Sequence, residues 1–153
     1  MHPDMRILGR SALDRRLQAV DVDAFKVPGS WARAIREVLG MTTRQMAQRL
    51  GVSQPRVVAM EKAEENKSIT LESLERAARA LDCELVYAFV PRQPLEQMVQ
   101  EHALNAAARK LKPTSHTMAL EAQSLPSRMH QEQIQRLAAE MIAKGDNTIW
   151  EVE

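Results

Sequence analysis

The stretch MTTRQMAQRLGVSQPRVVAME, from Met41 to Glu61, decides how this chain is read. Thr42, followed three residues later by Gln45, has the form of a capping box: the hydroxyl accepts from a first-turn N–H and the amide reaches back to the N–H of the cap. The helix it starts has Met46, Ala47 and Leu50 as its inward face, and Gly51, free to take a left-handed φ, stops it after about two turns. Ser53 is placed to cap a further helix with Pro55 in its first turn, where a missing N–H costs nothing, and Val57 and Met60 on its inner side. The outcome is two short helices joined by a tight turn, the second opening on polar side chains.

Working outward, Pro28-Gly29 breaks the chain and Ser30 is a good N-cap for a helix with Trp31, Ala34, Ile35, Val38 and Leu39 on one face, ended by Gly40. Trp31 is expected in the core. After a loop at 64–68, Thr70 caps a helix whose core side is Leu71, Leu74, Ala77, Ala78 and Leu81. Cys83–Val90 is a nearly continuous apolar run containing Val86, Tyr87 and Phe89, closed by Pro91, which reads as a β-strand. No second strand is offered, so pairing with the same strand of another copy would satisfy its edges, and a homodimer is expected.

From Leu95 the helical period returns, with Met98, Val99, His102, Ala103 and Ala106 on one face until Pro113 halts it near Leu111. A middle piece, 115–125, is expected to be helical, and a last helix over about 131–144 places Ile134, Leu137, Ala138, Met141 and Ile142 together. Ahead of all this, Leu13, Leu17 and Val20 mark a short amphipathic helix. The expected fold class is mainly α: a helical arm over 1–27, a domain built around the short helix pair with a terminal strand over 28–91, and a helical extension over 92–153.

Composition agrees. The chain has 153 residues, 44% hydrophobic and 27% charged, with only 3% aromatics, which fits a small helical globular protein and excludes a disordered or collagen-like one. A single cysteine, Cys83, excludes an internal disulfide and a multi-cysteine metal site and fits a reducing compartment, so a cytoplasmic location is expected. No leader or membrane-spanning stretch is read. Net charge is only +1, but it is unevenly placed. Residues 1–94 hold 15 Lys and Arg against 12 Asp and Glu, whereas 95–153 hold 6 against 8. Within 31–62 six cations face two carboxylates, a balance of +4. A basic module joined to a mildly acidic one implies two partners of different character.

Two short helices joined by a tight turn are the means by which a helix-turn-helix lays one helix in the DNA major groove. The quoted stretch resembles the phage-repressor-like helix-turn-helix regulators, with Ala47 at the close-packed position and Gly51 in the turn. The resemblance places Ser53, Gln54, Pro55 and Arg56 at the groove. There Gln54 can bond adenine bidentately and Arg56 guanine. Thr43, Arg44 and Gln45, at the start of the preceding helix, and Lys62 are candidates for phosphate. Pro55 departs from repressors that carry glutamine there, which removes one base contact. The same resemblance makes Arg36 and Glu61 an ion pair between helices, not a DNA contact.

Leu13-Asp-Arg-Arg-Leu17, Gly29-Ser-Trp-Ala-Arg-Ala-Ile-Arg-Glu37, Glu61-Lys-Ala-Glu64, Ser68-Ile-Thr-Leu71, Cys83-Glu-Leu-Val-Tyr-Ala-Phe-Val-Pro91 and His116-Thr-Met-Ala-Leu-Glu121 together resemble mobile mystery protein A. The resemblance implies a bacterial antitoxin encoded beside a Fic-domain toxin of the mobile mystery protein B type, which transfers AMP. Inhibitors of Fic proteins carry Ser or Thr, three residues, Glu, then Gly or Asn. Thr117 and Glu121 match this, with Ala122 departing at the last position, so Glu121 either blocks the ATP-binding arginine of the toxin or is an exposed helix carboxylate. His102, His116 and His130 have no supporting ligands for a metal, and no phosphate loop or nucleophile appears, so neither cofactor nor catalysis is expected. The alternative function is a stand-alone regulator whose C-terminal helices dimerise or sense a ligand.

Overall fold

The computed structural model describes residues 2–112 and 127–152. The chain divides into two compact units, one formed by residues 21–89 and the other by the two flanking regions together.

In the unit of residues 21–89 four helices follow one another: α2 (Trp31–Val38), α3 (Thr43–Leu50), α4 (Gln54–Glu65) and α5 (Leu71–Ala80). Three of them start at the residues whose hydroxyls were expected to cap them: Ser30 accepts from Arg33 N, Thr42 from Gln45 N and Thr70 from Ser73 N. Gly51 ends α3 at φ +67°, so the chain turns sharply enough for Val52 N to donate back to Ala47 O at 3.0 Å. The core is Ala32, Met46, Ala47, Val57, Ala77 and Leu81, with Met46 and Val57 fully buried.

Among the described residues the other unit is built on three longer helices, α1 (Pro3–Leu17), α6 (Leu95–Lys110) and α7 (Ser127–Lys144), and a short 3-10 turn at Asn147–Trp150. Its buried centre is dominated by alanines, Ala103, Ala106, Ala107 and Ala138, with Val99, Met141 and Ile149 around them. Alanine at such positions lets helices approach closely, because its side chain adds little bulk and loses no rotamer freedom on burial. The helix expected at 115–125 lies outside the described residues. Among the described residues no helix is long and apolar enough to cross a membrane.

Three expectations are corrected. The predicted β-strand at Cys83–Val90 is not present: the segment carries no ladder pairing, and no strand occurs among the described residues. Its Val, Tyr and Phe content scored as strand because these side chains suit a pleated, half-buried surface. A strand exists only with a neighbour to take its N–H and C=O groups, and the fold offers none. Val86, Tyr87 and Phe89 instead face solvent, Phe89 at 90% exposure. Trp31 and Leu71, both expected in the core, are half exposed. They line an apolar groove together with Phe25, Leu74 and the chain at 83–87. Periodicity marks the apolar face of a helix, but how far around that face a neighbour reaches is set by packing.

Candidate nucleic-acid interface

The site grows from the junction of α3 and α4. The capping box of α3 is complete: Gln45 N donates to Thr42 Oγ1 at 3.2 Å and Thr42 N to Gln45 Oε1 at 2.8 Å. The Gln45 carbonyl is thus engaged in the fold. Gln54, the first residue of α4, donates from Nε2 to Thr43 Oγ1 at 2.7 Å, so the starts of the two helices meet. Ser53, Gln54, Pro55 and Arg56 are all exposed at this edge, and Arg44 is exposed beside it. Ser53 holds the N-cap position of α4 with extended backbone, but its hydroxyl makes no capping bond, contrary to its expected role. The start of α4 therefore keeps N–H groups with no side-chain cap, at the positive end of a twelve-residue helix, an arrangement that favours an anion.

α4 is held in place from behind. Arg36 on α2 donates from Nε to Glu61 Oε1 at 2.6 Å and from Nη2 to Glu61 Oε2 at 3.0 Å, a two-pronged ion pair with both residues buried. A third donation, from Nη1 to Met41 O at 3.1 Å, uses the rest of the guanidinium. The hydrogen bonds to Glu61 raise the Arg36 pKa against the burial that lowers it. Glu64, also on α4, accepts from Trp31 N and Ala32 N at 2.8 and 3.2 Å, capping α2 from another helix. This second link was not legible in the sequence, since a tertiary cap has no fixed spacing.

Sorting the basic segment by partner thins it. Arg33 pairs with Glu37 on its own helix, which holds the Glu37 carboxyl below its ordinary value, and Arg36 pairs with Glu61. Arg49 donates to Asp82 Oδ2 and Ala80 O, both at 2.9 Å, tying α3 to the end of α5. Arg44, Arg56 and Lys62 form no ion pair among the described residues. Lys62 lies about two turns beyond Gln54, in a groove it shares with Glu37, Glu61 and Glu65. Arg56 instead lines a cavity of about 330 Å³ between α4 and α5, whose other wall carries Arg76, Thr70 and Ser73. Arg76 was missed because nothing in its spacing sets it apart from any exposed helix cation. Thr117 and Glu121 lie outside the described residues.

Residues 33–87 match the helix-turn-helix family HTH_3. The chain thus contains a phage-repressor-like helix-turn-helix domain, a regulatory DNA-binding domain and not an enzyme family. No curated protein and no solved structure matches the chain.

Proposed function

We propose that this protein is a DNA-binding repressor that reads an operator through the start of α4, with Gln54 and Arg56 on base edges and Arg44, Thr43 and the uncapped N–H groups of α4 on phosphate. The observation that carries the reading is the Gln54–Thr43 bond, which joins the starts of α3 and α4 into one edge beside exposed Arg44 and Arg56, neither of which forms an ion pair among the described residues. Buried Glu61 and Arg36 orient that edge and do not touch DNA. Arg76, across the cavity from Arg56, is added as a phosphate contact. Ser53 and Pro55 shape the approach, and Gln45 and Lys62 contribute least, the first being engaged in a cap and the second surrounded by carboxylates.

The repressor acts as a homodimer in this reading, because helix-turn-helix proteins meet paired half-sites about one DNA turn apart. The apolar face of Phe25, Trp31, Leu71 and Tyr87 is the surface a second copy would cover. Its antitoxin role, binding a Fic-domain toxin encoded beside it and blocking AMP transfer through Glu121, rests on the resemblance to mobile mystery protein A. Co-expression with the neighbouring reading frame tests that part: a retained, silent Fic protein supports it, and failure of any protein to be retained removes it.

DNA reading is tested on the region upstream of its own reading frame. Arg56→Ala is expected to lose about 1–3 kcal/mol of discrimination between operator and scrambled DNA. Arg44→Ala is expected to weaken both alike and to lower the slope of log K against log salt by about one. Unchanged binding in both variants would remove the assignment of this face.

A further inference from the structure

The cavity of about 330 Å³ between α4 and α5 differs in charge from the rest of its unit. Arg56 of α4 and Arg76 of α5 both line it, and no carboxylate is among its lining residues. Four other arginines of the unit are neutralised nearby: Arg33 by Glu37, Arg36 by Glu61, Arg49 by Asp82 and Arg79 by Glu75. Arg56 and Arg76 are exposed, open to a ligand, and form no ion pair among the described residues. Two like charges at one small cavity repel, and a bound anion relieves that repulsion.

The inner surface offers more than charge. Leu50, Val52 and Met60, each half-buried, give it an apolar floor. Of the three hydroxyls at the wall, Thr70 donates to Ser73 Oγ at 2.9 Å and Ser68 to Ala63 O at 3.3 Å. The Ser73 hydroxyl, which accepts from Thr70, keeps its own proton without an acceptor among the described residues. The cavity volume stands at the lower end of the range for small-molecule sites, about 300–1,000 Å³, so its occupant is compact.

We infer that this cavity binds a small organic phosphate, its phosphate held between the guanidiniums of Arg56 and Arg76 with the Ser73 hydroxyl donating to it, and its apolar body on Leu50, Val52 and Met60. A phosphomonoester suits two guanidiniums better than a carboxylate does. It carries nearly two charges near neutral pH and three acceptor oxygens, enough for two guanidinium edges, whereas one edge satisfies a carboxylate. Because Arg56 is a base reader in the function proposed above, an occupied cavity withdraws it from DNA, and the ligand acts as an inducer. That regulatory half rests on the DNA-reading proposal; the binding itself does not.

The test follows the amide signals of α4 and α5 in the full-length protein by nuclear magnetic resonance during titration with phenyl phosphate. Benzoate, benzyl alcohol and inorganic phosphate are titrated beside it at matched ionic strength. The expected result is a saturable shift with phenyl phosphate and an affinity about ten-fold weaker for each of the other three. Arg76→Met should bring phenyl phosphate down to the level of benzyl alcohol. Ala59→Leu, on the cavity wall in α4, should keep the thermal transition and block phenyl phosphate. Phenyl phosphate at about ten times its dissociation constant should weaken operator binding about ten-fold in fluorescence anisotropy, and inorganic phosphate at the same ionic strength should not. Absence of a saturable shift, benzoate or inorganic phosphate binding as well as phenyl phosphate, or an affinity surviving Arg76→Met would each overturn the site. Ligand binding with operator affinity unchanged would overturn the inducer role, whereas a chain that binds phenyl phosphate but no operator would remove the DNA reading and leave the site standing.

Discussion

Residues 21–89 and the unit built from both ends of the chain bury charge in different ways. In the first, a complete ion pair, Arg36 with Glu61, sits behind α4, every guanidinium edge is used, and α2, α3 and α5 start at their own hydroxyl caps. In the second, α6 starts at Pro94 with no side-chain cap. Buried Asp14 of α1 supplies one, accepting from Leu95 N at 2.8 Å and Glu96 N at 3.4 Å, while Arg10, one helical turn before it, is left incompletely paired among the described residues. The difference teaches where each unit is committed. A saturated buried pair locks one geometry between two helices, whereas an unsatisfied buried donor is a local cost that the rest of the packing must offset.

The sharpest way to break the comparison is Glu61→Ala. It leaves Arg36 buried without its partner and should cost about 3–5 kcal/mol, seen as a lower denaturation midpoint through Trp31, which lies in the same unit. Asp14→Ala removes the only side-chain cap of α6 seen among the described residues and should cost about 1–2 kcal/mol, read through Trp150. A loss at Asp14 equal to that at Glu61 would erase the distinction drawn between the units.

Glycine sharpens it with opposite signs. Gly51→Ala should destabilise by about 1–2 kcal/mol, since φ is +67° although a Cβ would meet nothing there. Gly9→Ala, inside α1 and equally open, should stabilise by about 0.5–1 kcal/mol through helix propensity. The smallest effect concerns acid. The Asp146 carboxyl is held below its ordinary value of 3.8, first by the Thr148 backbone N–H. A depressed folded pKa contributes stability that is present above the unfolded value and lost as pH falls through the folded one. Stability should therefore fall slightly below about pH 4, and Asp146→Asn should flatten that fall in a pH series of melting curves.

Much of the fold was legible. Ser30, Thr42 with Gln45, and Thr70 mark helix starts because capping is local, acting over three residues whatever the rest of the chain does. The order of α2 to α5 and the edge at residues 53–56 followed from those marks. The strand at 83–90 did not survive, since a strand is a property of a pair and β propensity describes only one member. The tertiary caps Glu64 and Asp14, and the split of the basic segment into paired and unpaired cations, were equally out of reach.

By itself the sequence determined the helical class, the short helix pair with its Gly51 turn, and which side chains stand at the start of α4, because each depends on contacts within a few residues. Only the tertiary structure decided which cations of the basic segment stand outside ion pairs among the described residues, how far the apolar faces are covered, and that one guanidinium nitrogen of Arg10 is buried without a partner there. Those depend on what another helix, distant along the chain, brings to within hydrogen-bonding distance, and no spacing encodes that.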